Sequence, residues 1–251
     1  MLPSHLFMWP NLMLYFGPLQ HLETRSNGAS VLMIGLYRDF DLRVDGGEPQ
    51  ACRCAVVPAG VPHEVDVHGG VLAKLFVERD SDEYGRFQQR FPLAPGQRAV
   101  RVQDAALVEE FMRLYEEAPA KDDMLKALLA LMPAPEAPGE DAAGRRLAPV
   151  FDLLRQQGDE NHGRDRAAGV AHLSASRMMH LFRAETGMSY RGFRIWKRLI
   201  LAAEHLQRTD CLTRSAVDAG FADASHFSNC YKRYIGASPS LVFRSLQRFE
   251  R

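Results

Sequence analysis

At 251 residues, 46% hydrophobic and 25% charged, the chain has the length and balance of a folded protein of one large or two modest domains. Four Cys are too few for a disulfide scaffold and fit a reducing cytoplasm, and no apolar run reaches the roughly 20 residues of a membrane span. The formal net charge of zero conceals a split: residues 145–251 carry 18 Lys and Arg against 10 Asp and Glu, a formal +8, and residues 1–144 carry 13 against 21, a formal −8. A basic half can attract phosphate by releasing counterions, whereas an acidic half would repel it. With no Lys or Arg ahead of the first apolar residues, no signal peptide is expected.

Residues 1–100 read as β-rich. Short apolar runs at Val31–Leu36, Phe40–Val44, Cys54–Val57 and Val71–Val77 are separated by Asp45-Gly46-Gly47, Pro58-Ala59-Gly60 and Gly69-Gly70 turns. This spacing predicts a small barrel or sandwich. The period then becomes helical over 104–118, with Leu107, Phe111, Leu114 and Tyr115 on one face, and again over Asp122–Met132. These segments (101–132) can connect the two halves, pack on their own barrel or pair in a homodimer. Residues 133–146, opening on Pro- and Gly-rich chain, read as a linker. Residues 147–251 read as nearly all helical: Leu147–Gln157, Ala167–His172, Ser174–Thr186, Ser189–Arg208, Thr213–Ala219, Asp223–Ile235 and a last helix opened by Ser238-Pro239. The expected class is therefore α+β with two domains, a β-barrel with a helical segment followed by an all-α domain.

The helical domain repeats itself at an offset of 49. Ala167, Ser176, His180, Phe182, Gly187 and Ser189 align with Ala216, Ser225, Asn229, Tyr231, Gly236 and Ser238. Each unit reads as a short helix, a tight turn and a second helix, which is a helix-turn-helix present twice. At 100° per residue, Met178, Leu181 and Phe182 face inward in the first unit, leaving Ser176, Met179, His180 and Arg183 outward. In the second, Ala224, Phe227, Tyr231 and Tyr234 cluster inward, Ser225, Asn229 and Lys232 point out, and His226, Ser228 and Arg233 flank them. A helix in the major groove presents such a face to base edges. A solvated stripe is the commoner fate of one polar face; the repetition, the Ser174 and Asp223 caps and the +8 charge favour the groove. Arg183, Lys197, Arg198, Lys232, Arg233 and Arg244 divide between phosphate contacts and plain solvated charge.

The run Ala216-Val217-Asp218-Ala219-Gly220-Phe221-Ala222-Asp223-Ala224-Ser225-His226-Phe227-Ser228, followed by Tyr231, Gly236, Ser238 and Pro239, resembles the C-terminal signature of AraC/XylS-type transcription regulators. Leu173-Ser174 through Leu181-Phe182-Arg183, then Glu185-Thr186-Gly187-Met188-Ser189, resembles that family's upstream motif. The resemblance implies two helix-turn-helix units flanking a long linking helix, Ser189–Arg208, and reading one face of the duplex. It also implies double-stranded DNA, RNA polymerase and a small-molecule effector as partners, with no cofactor and no enzymatic activity. The chain departs from the family in having Asn229 where Arg is usual and Tyr231 and Ile235 where Phe is usual. Asn pairs bidentately with adenine and Arg with guanine, so a shifted operator preference is expected at Asn229.

In the first half, Pro58-Ala59-Gly60-Val61-Pro62-His63-Glu64-Val65 with Gly69-Gly70 resembles the second motif of cupin barrels, a sensor domain in many AraC-like regulators. The resemblance makes His63 a ligand-binding candidate, with His21. The first cupin motif departs: Gln20-His21-Leu22-Glu23 has no His-x-His, so no catalytic metal is expected. Cys52 and Cys54, two apart on a strand, would share one face. With His63 and His21 or His68 they would make a soft or borderline metal set; two small buried hydrophobes are the favoured alternative. A cupin enzyme and a protein-interaction module are the competing functions. The missing metal motif argues against the first, and the charge split with the dual helix-turn-helix against the second.

Overall fold

The computed structural model describes residues 2–94, 96–134, 142–156, 163–209, 211–244 and 246–250. Two sheets build the N-terminal half. The larger contains β1 (Ser4–Met8), β2 (Leu12–Pro18), β4 (Ser30–Gly35), β7 (Cys54–Val57), β9 (Val71–Val77), β10 (Val100–Arg101) and β11 (Leu246–Glu250), in the order β10-β7-β4-β9-β2-β1-β11. The smaller holds β3 (His21–Arg25), β5 (Phe40–Val44), β6 (Gln50–Cys52) and β8 (His63–Asp66), in the order β3-β8-β5-β6. They share one apolar layer, in which Val31, Met33 and Phe76 of the larger sheet meet Leu22, Phe40 and Val65 of the smaller. The two sheets thus face each other across this layer, within the β-rich domain that the spacing predicts.

Strands β4 and β9 are buried along their whole length. Their continuous apolar runs follow from a sheet covered on both faces. Val31, Met33, Leu72 and Phe76 face the smaller sheet, while Leu32, Ile34, Leu75 and Val77 alternate onto the other side. There they meet α1 (Asp82–Arg90), α2 (Ala105–Glu117) and α3 (Lys121–Ala130), through Phe87, Leu107, Phe111, Leu114 and Leu128. The apolar faces of α2 and α3 are thus spent on their own sheet. Asp104 caps α2 by accepting from the Leu107 amide at 2.9 Å.

The C-terminal half comprises α4 (Ala142–Gln156), α5 (Arg164–Val170), α6 (Ala175–Thr186), α7 (Tyr190–Thr209), α8 (Leu212–Asp218), α9 (Ala224–Ile235) and α10 (Pro239–Arg244). Half of the expected linker, 135–141, lies outside the described residues, and α4 already begins within its last part. Helix α7 serves two cores. Phe193 joins α4, α5 and α6 in a cluster with Leu147, Phe151, Met178 and Phe182. Trp196, Leu199, Ala202 and Ala203 join Phe221, Phe227 and Tyr231 of the second unit in a cluster continuous with the layer between the sheets. One segment departs from the all-helical expectation: β11 leaves α10 and pairs in parallel with β1, Ser4 opposite Leu246 and Phe7 opposite Glu250.

Candidate functional site

Helices α6 and α9 are built alike. The Ser174 hydroxyl accepts from the Arg177 amide at 3.3 Å, and the Asp223 carboxylate accepts from the His226 amide at 2.7 Å. Each cap satisfies an amide that the first turn leaves without a partner. Gly187 (φ 72°) and Gly236 (φ 86°) end the helices in the left-handed region, where a side chain would be strained. Ser176, His180 and Arg183 are exposed on α6, and Ser225, His226, Asn229, Lys232 and Arg233 on α9. Met179 is half-buried against the first unit's core. The His226 ring packs edge-on against Phe221, 5.4 Å between centroids, and its Nδ1 accepts from the Ala222 amide at 3.5 Å. It therefore shapes the start of α9 as well as facing outward. Inward, Met178 and Phe182 fill the first core and Phe227, Tyr231 and Tyr234 the second. Burial pushes the Tyr231 hydroxyl far above the usual tyrosine range.

Three consecutive charges after β9 fasten the two halves. Glu78 is buried, accepts from Trp196 Nε1 at 3.1 Å and pairs with Lys197 of α7. Burial raises its pKa against the opposing pull of that ammonium. Arg79 Nη2 donates to Glu185 of α6 at 2.7 Å, and Arg155 of α4 donates to Asp80 at 2.9 Å. Beside them the backbones of the two halves touch: a side chain at Gly60 would stand 2.1 Å from the Gly187 carbonyl oxygen. The Pro58–Val65 motif thus serves as the seat of the first reading helix's end.

Between the larger sheet and helices α7, α9 and α10 lies an apolar cavity of about 40 Å³, walled by Tyr15, Lys74 and Phe76 on the sheet and Leu199, Tyr231 and Ile235 on the helices. That is room for little more than a water or two. Lys74, 3% exposed, stands between Met33 and Tyr15 on the neighbouring strands, and its ammonium lies 4.9 Å from the Phe76 ring centre. Among the described residues no carboxylate pairs with it. Burial, and then the nearby Arg25 charge, holds its pKa well below the usual lysine range. The run Val71–Val77 places Lys74 with Leu72 and Phe76, on the face that also packs the helices. The signal was a lone cation at an inward position of an apolar strand.

Neither His63 nor His21 lines this cavity. His63 is buried, with Nδ1 2.8 Å from the Val61 carbonyl oxygen and Nε2 3.4 Å from Asn27 Nδ2. Burial and Arg25 hold its pKa well below the usual value, so the ring is neutral, with Nδ1–H donating. His21 is half-exposed on β3, 3.6 Å from Glu64 and 3.9 Å from Asp66. Cys52 and Cys54 do not share a face. The chain changes sheets at Arg53, placing Cys52 in the layer between the sheets and Cys54 in the core under the helices. Burial pushes both thiols up to about 12. No group of three His, Cys, Asp or Glu gathers at metal distance among the described residues, so Cys52, Cys54 and His63 are not brought together.

Residues 167–245 match the family model described as a helix-turn-helix domain. No curated protein matches the chain. Among solved structures, an apo variant of ToxT from Vibrio cholerae strain SCE256 superposes with a TM-score of 0.67 at 9% identity, covering 94% of this chain and 98% of that one. Wild-type ToxT of the same strain, bound to an unsaturated fatty acid, gives 0.62 at 11%, covering 94% and 96%. ToxT of strain O395 bound to (E)-4-(8-methylnaphthalen-1-yl)but-3-enoic acid gives 0.63 at 11%, covering 94% and 100%. Residues 167–245 thus match a helix-turn-helix domain, carried with a β-rich domain in the two-domain fold that ToxT shares.

Proposed function

We propose that the chain is a transcription regulator that inserts α6 and α9 into successive major-groove segments, about one helical turn apart. The observation that carries this reading is the pair of helices, each closed by a side-chain N-cap and a left-handed glycine, with corresponding exposed faces on one linking helix. Ser176, Met179, His180 and Arg183 serve one segment; Ser225, His226, Asn229, Lys232 and Arg233 serve the other. Bound there, in the cytoplasm and without catalysing a reaction, the protein meets RNA polymerase as its partner. A homodimer through α2 and α3 gains no support, because their apolar faces are already covered.

The effector site in this reading is the Lys74 cavity rather than His63 and His21. An ammonium buried without an anion is costly, and a ligand carboxylate would offset that cost. The apolar walls suit a hydrocarbon or aromatic body. Both ligands in the ToxT structures above are acids of this kind. With room for only a water or two, the cavity takes such a molecule only if its walls move. Half of those walls are helices of the DNA-binding domain. Ligand binding and domain arrangement are therefore linked through a difference in affinity between two states.

The test is selection of duplexes from a random pool by the full chain, followed by footprinting. Two protected major-groove segments on one face, with affinity falling steeply between about 50 and 200 mM salt, are expected. Absence of any protection at low salt would sink the reading.

A further inference from the structure

The second reading helix does not present Lys232 freely. Lys232, on the outward face one turn beyond Asn229, lies 2.9 Å from Glu23 of β3, an acidic residue of the sensor. Both side chains are more than half exposed, so the pair faces solvent on the side where Asn229 and Arg233 also stand open. The contact is held in place by what lies beneath it. Helix α9 packs on β3, and its cap Gly236 sits so close to the buried Arg25 that a side chain there would stand 2.5 Å from Arg25 Cδ. Leu22 and Tyr231, the chain neighbours of Glu23 and Lys232, are both buried and both line the Lys74 cavity. Glu64, another carboxylate of the same sheet, is hydrogen-bonded to Thr24 and has no cation of α9 beside it.

We propose that Glu23 is an affinity-setting residue that competes with DNA phosphate for Lys232, so that the sensor itself occupies part of the second reading surface. The inference rests on the DNA-binding reading above. In the docked arrangement Lys232 cannot give its charge wholly to a phosphate, and a fixed carboxylate stands where the negative backbone must approach. A like charge held within a few ångströms of phosphate repels it, and at physiological salt this acts over about 8 Å. An exposed pair adds little to folding, so removing Glu23 leaves the fold intact. Because Leu22 and Tyr231 wall the cavity, an occupant that pushes the sheet and α9 apart also separates Glu23 from Lys232.

The experiment measures binding of the full chain to a duplex selected by the wild-type protein, at several salt concentrations between about 50 and 200 mM. Glu23→Gln is expected to tighten binding about two- to tenfold and to steepen the salt dependence by about one phosphate contact. Glu64→Gln removes the same charge from the same sheet and is expected to change affinity less than about twofold. In a Lys232→Gln background the gain from Glu23→Gln is expected to vanish. An unchanged affinity for Glu23→Gln, an equal gain from Glu64→Gln, or a gain that survives without Lys232 overturns the inference while leaving the DNA-binding reading standing. Failure of all these proteins to bind any duplex overturns both.

Discussion

The two reading units repeat one pattern of caps, apolar positions and terminal glycines, yet the rest of the molecule holds them differently. The first closes its own core around Met178, Phe182 and Phe193 and meets the sensor largely through charges, Glu185 with Arg79 and Arg155 with Asp80. The second has no separate core: Phe227, Tyr231 and Ile235 lie in a cluster continuous with the apolar layer that joins the two sheets. Packing transmits displacement because a close-packed layer cannot deform smoothly, whereas partly exposed ion pairs can lengthen at little cost. The sensor is therefore coupled to the second unit through a shared apolar core, and to the first through ion pairs and the Gly60–Gly187 backbone contact.

The largest expected effects test whether the cores are separate. Phe182→Ala and Phe227→Ala should each cost about 3–5 kcal/mol. Hydrogen exchange should find the Phe182→Ala loss confined to α4–α6, whereas Phe227→Ala should lower protection in β2, β3 and β9 as well. Loss of sheet protection in the Phe182 variant would break the comparison. Glu78→Gln leaves the partly buried Lys197 beside a neutral amide and should cost about 3–5 kcal/mol in chemical unfolding. Replacing the pair together by Gln and Met should recover most of that.

Lys74→Met removes an unpaired buried ammonium and should stabilise the chain by about 1–2 kcal/mol near neutral pH, while abolishing binding of a fatty acid probe. The sign follows from linkage. The folded-state pKa of Lys74 is depressed, so the unfolded chain binds more protons, and stability rises with pH between that lowered value and about 10.4. Unfolding titrations should show this rise in the wild type and a smaller one in Lys74→Met. Asn229→Arg should shift one operator position toward guanine by about 1–3 kcal/mol, read from selected sites, without altering positions read by α6. Arg79→Ala should be smallest, under about 1 kcal/mol, because its pair with Glu185 is partly exposed.

How much of this was legible in the sequence depended on how local the cause was. The reading helices lie within a residue of their expected bounds, Ser174–Thr186 against Ala175–Thr186 and Asp223–Ile235 against Ala224–Ile235. Their caps, apolar period and terminal glycines all fall inside one short window. Helix α1 was missed because of its nine residues only Phe87 is fully buried, too little for a period to show. Strand β11, Leu-Gln-Arg-Phe-Glu, has no strand signal of its own and exists because the β1 edge offers it partners. Cys52 and Cys54 are the two small buried hydrophobes that the sequence favours, but they lie on different faces because the chain passes from one sheet to the other at Arg53.

By itself the sequence determined the tandem units, their exposed faces and the opposed charges of the two halves, because caps, helical period and net charge depend on neighbours a few positions apart. Only the tertiary structure decided that Lys74 is a buried lysine over a small cavity, that Glu23 reaches Lys232 and that the second unit shares its core with the sensor. Those facts depend on residues more than a hundred positions apart being brought together by burial, and no local pattern records which distant surface will cover a given apolar face.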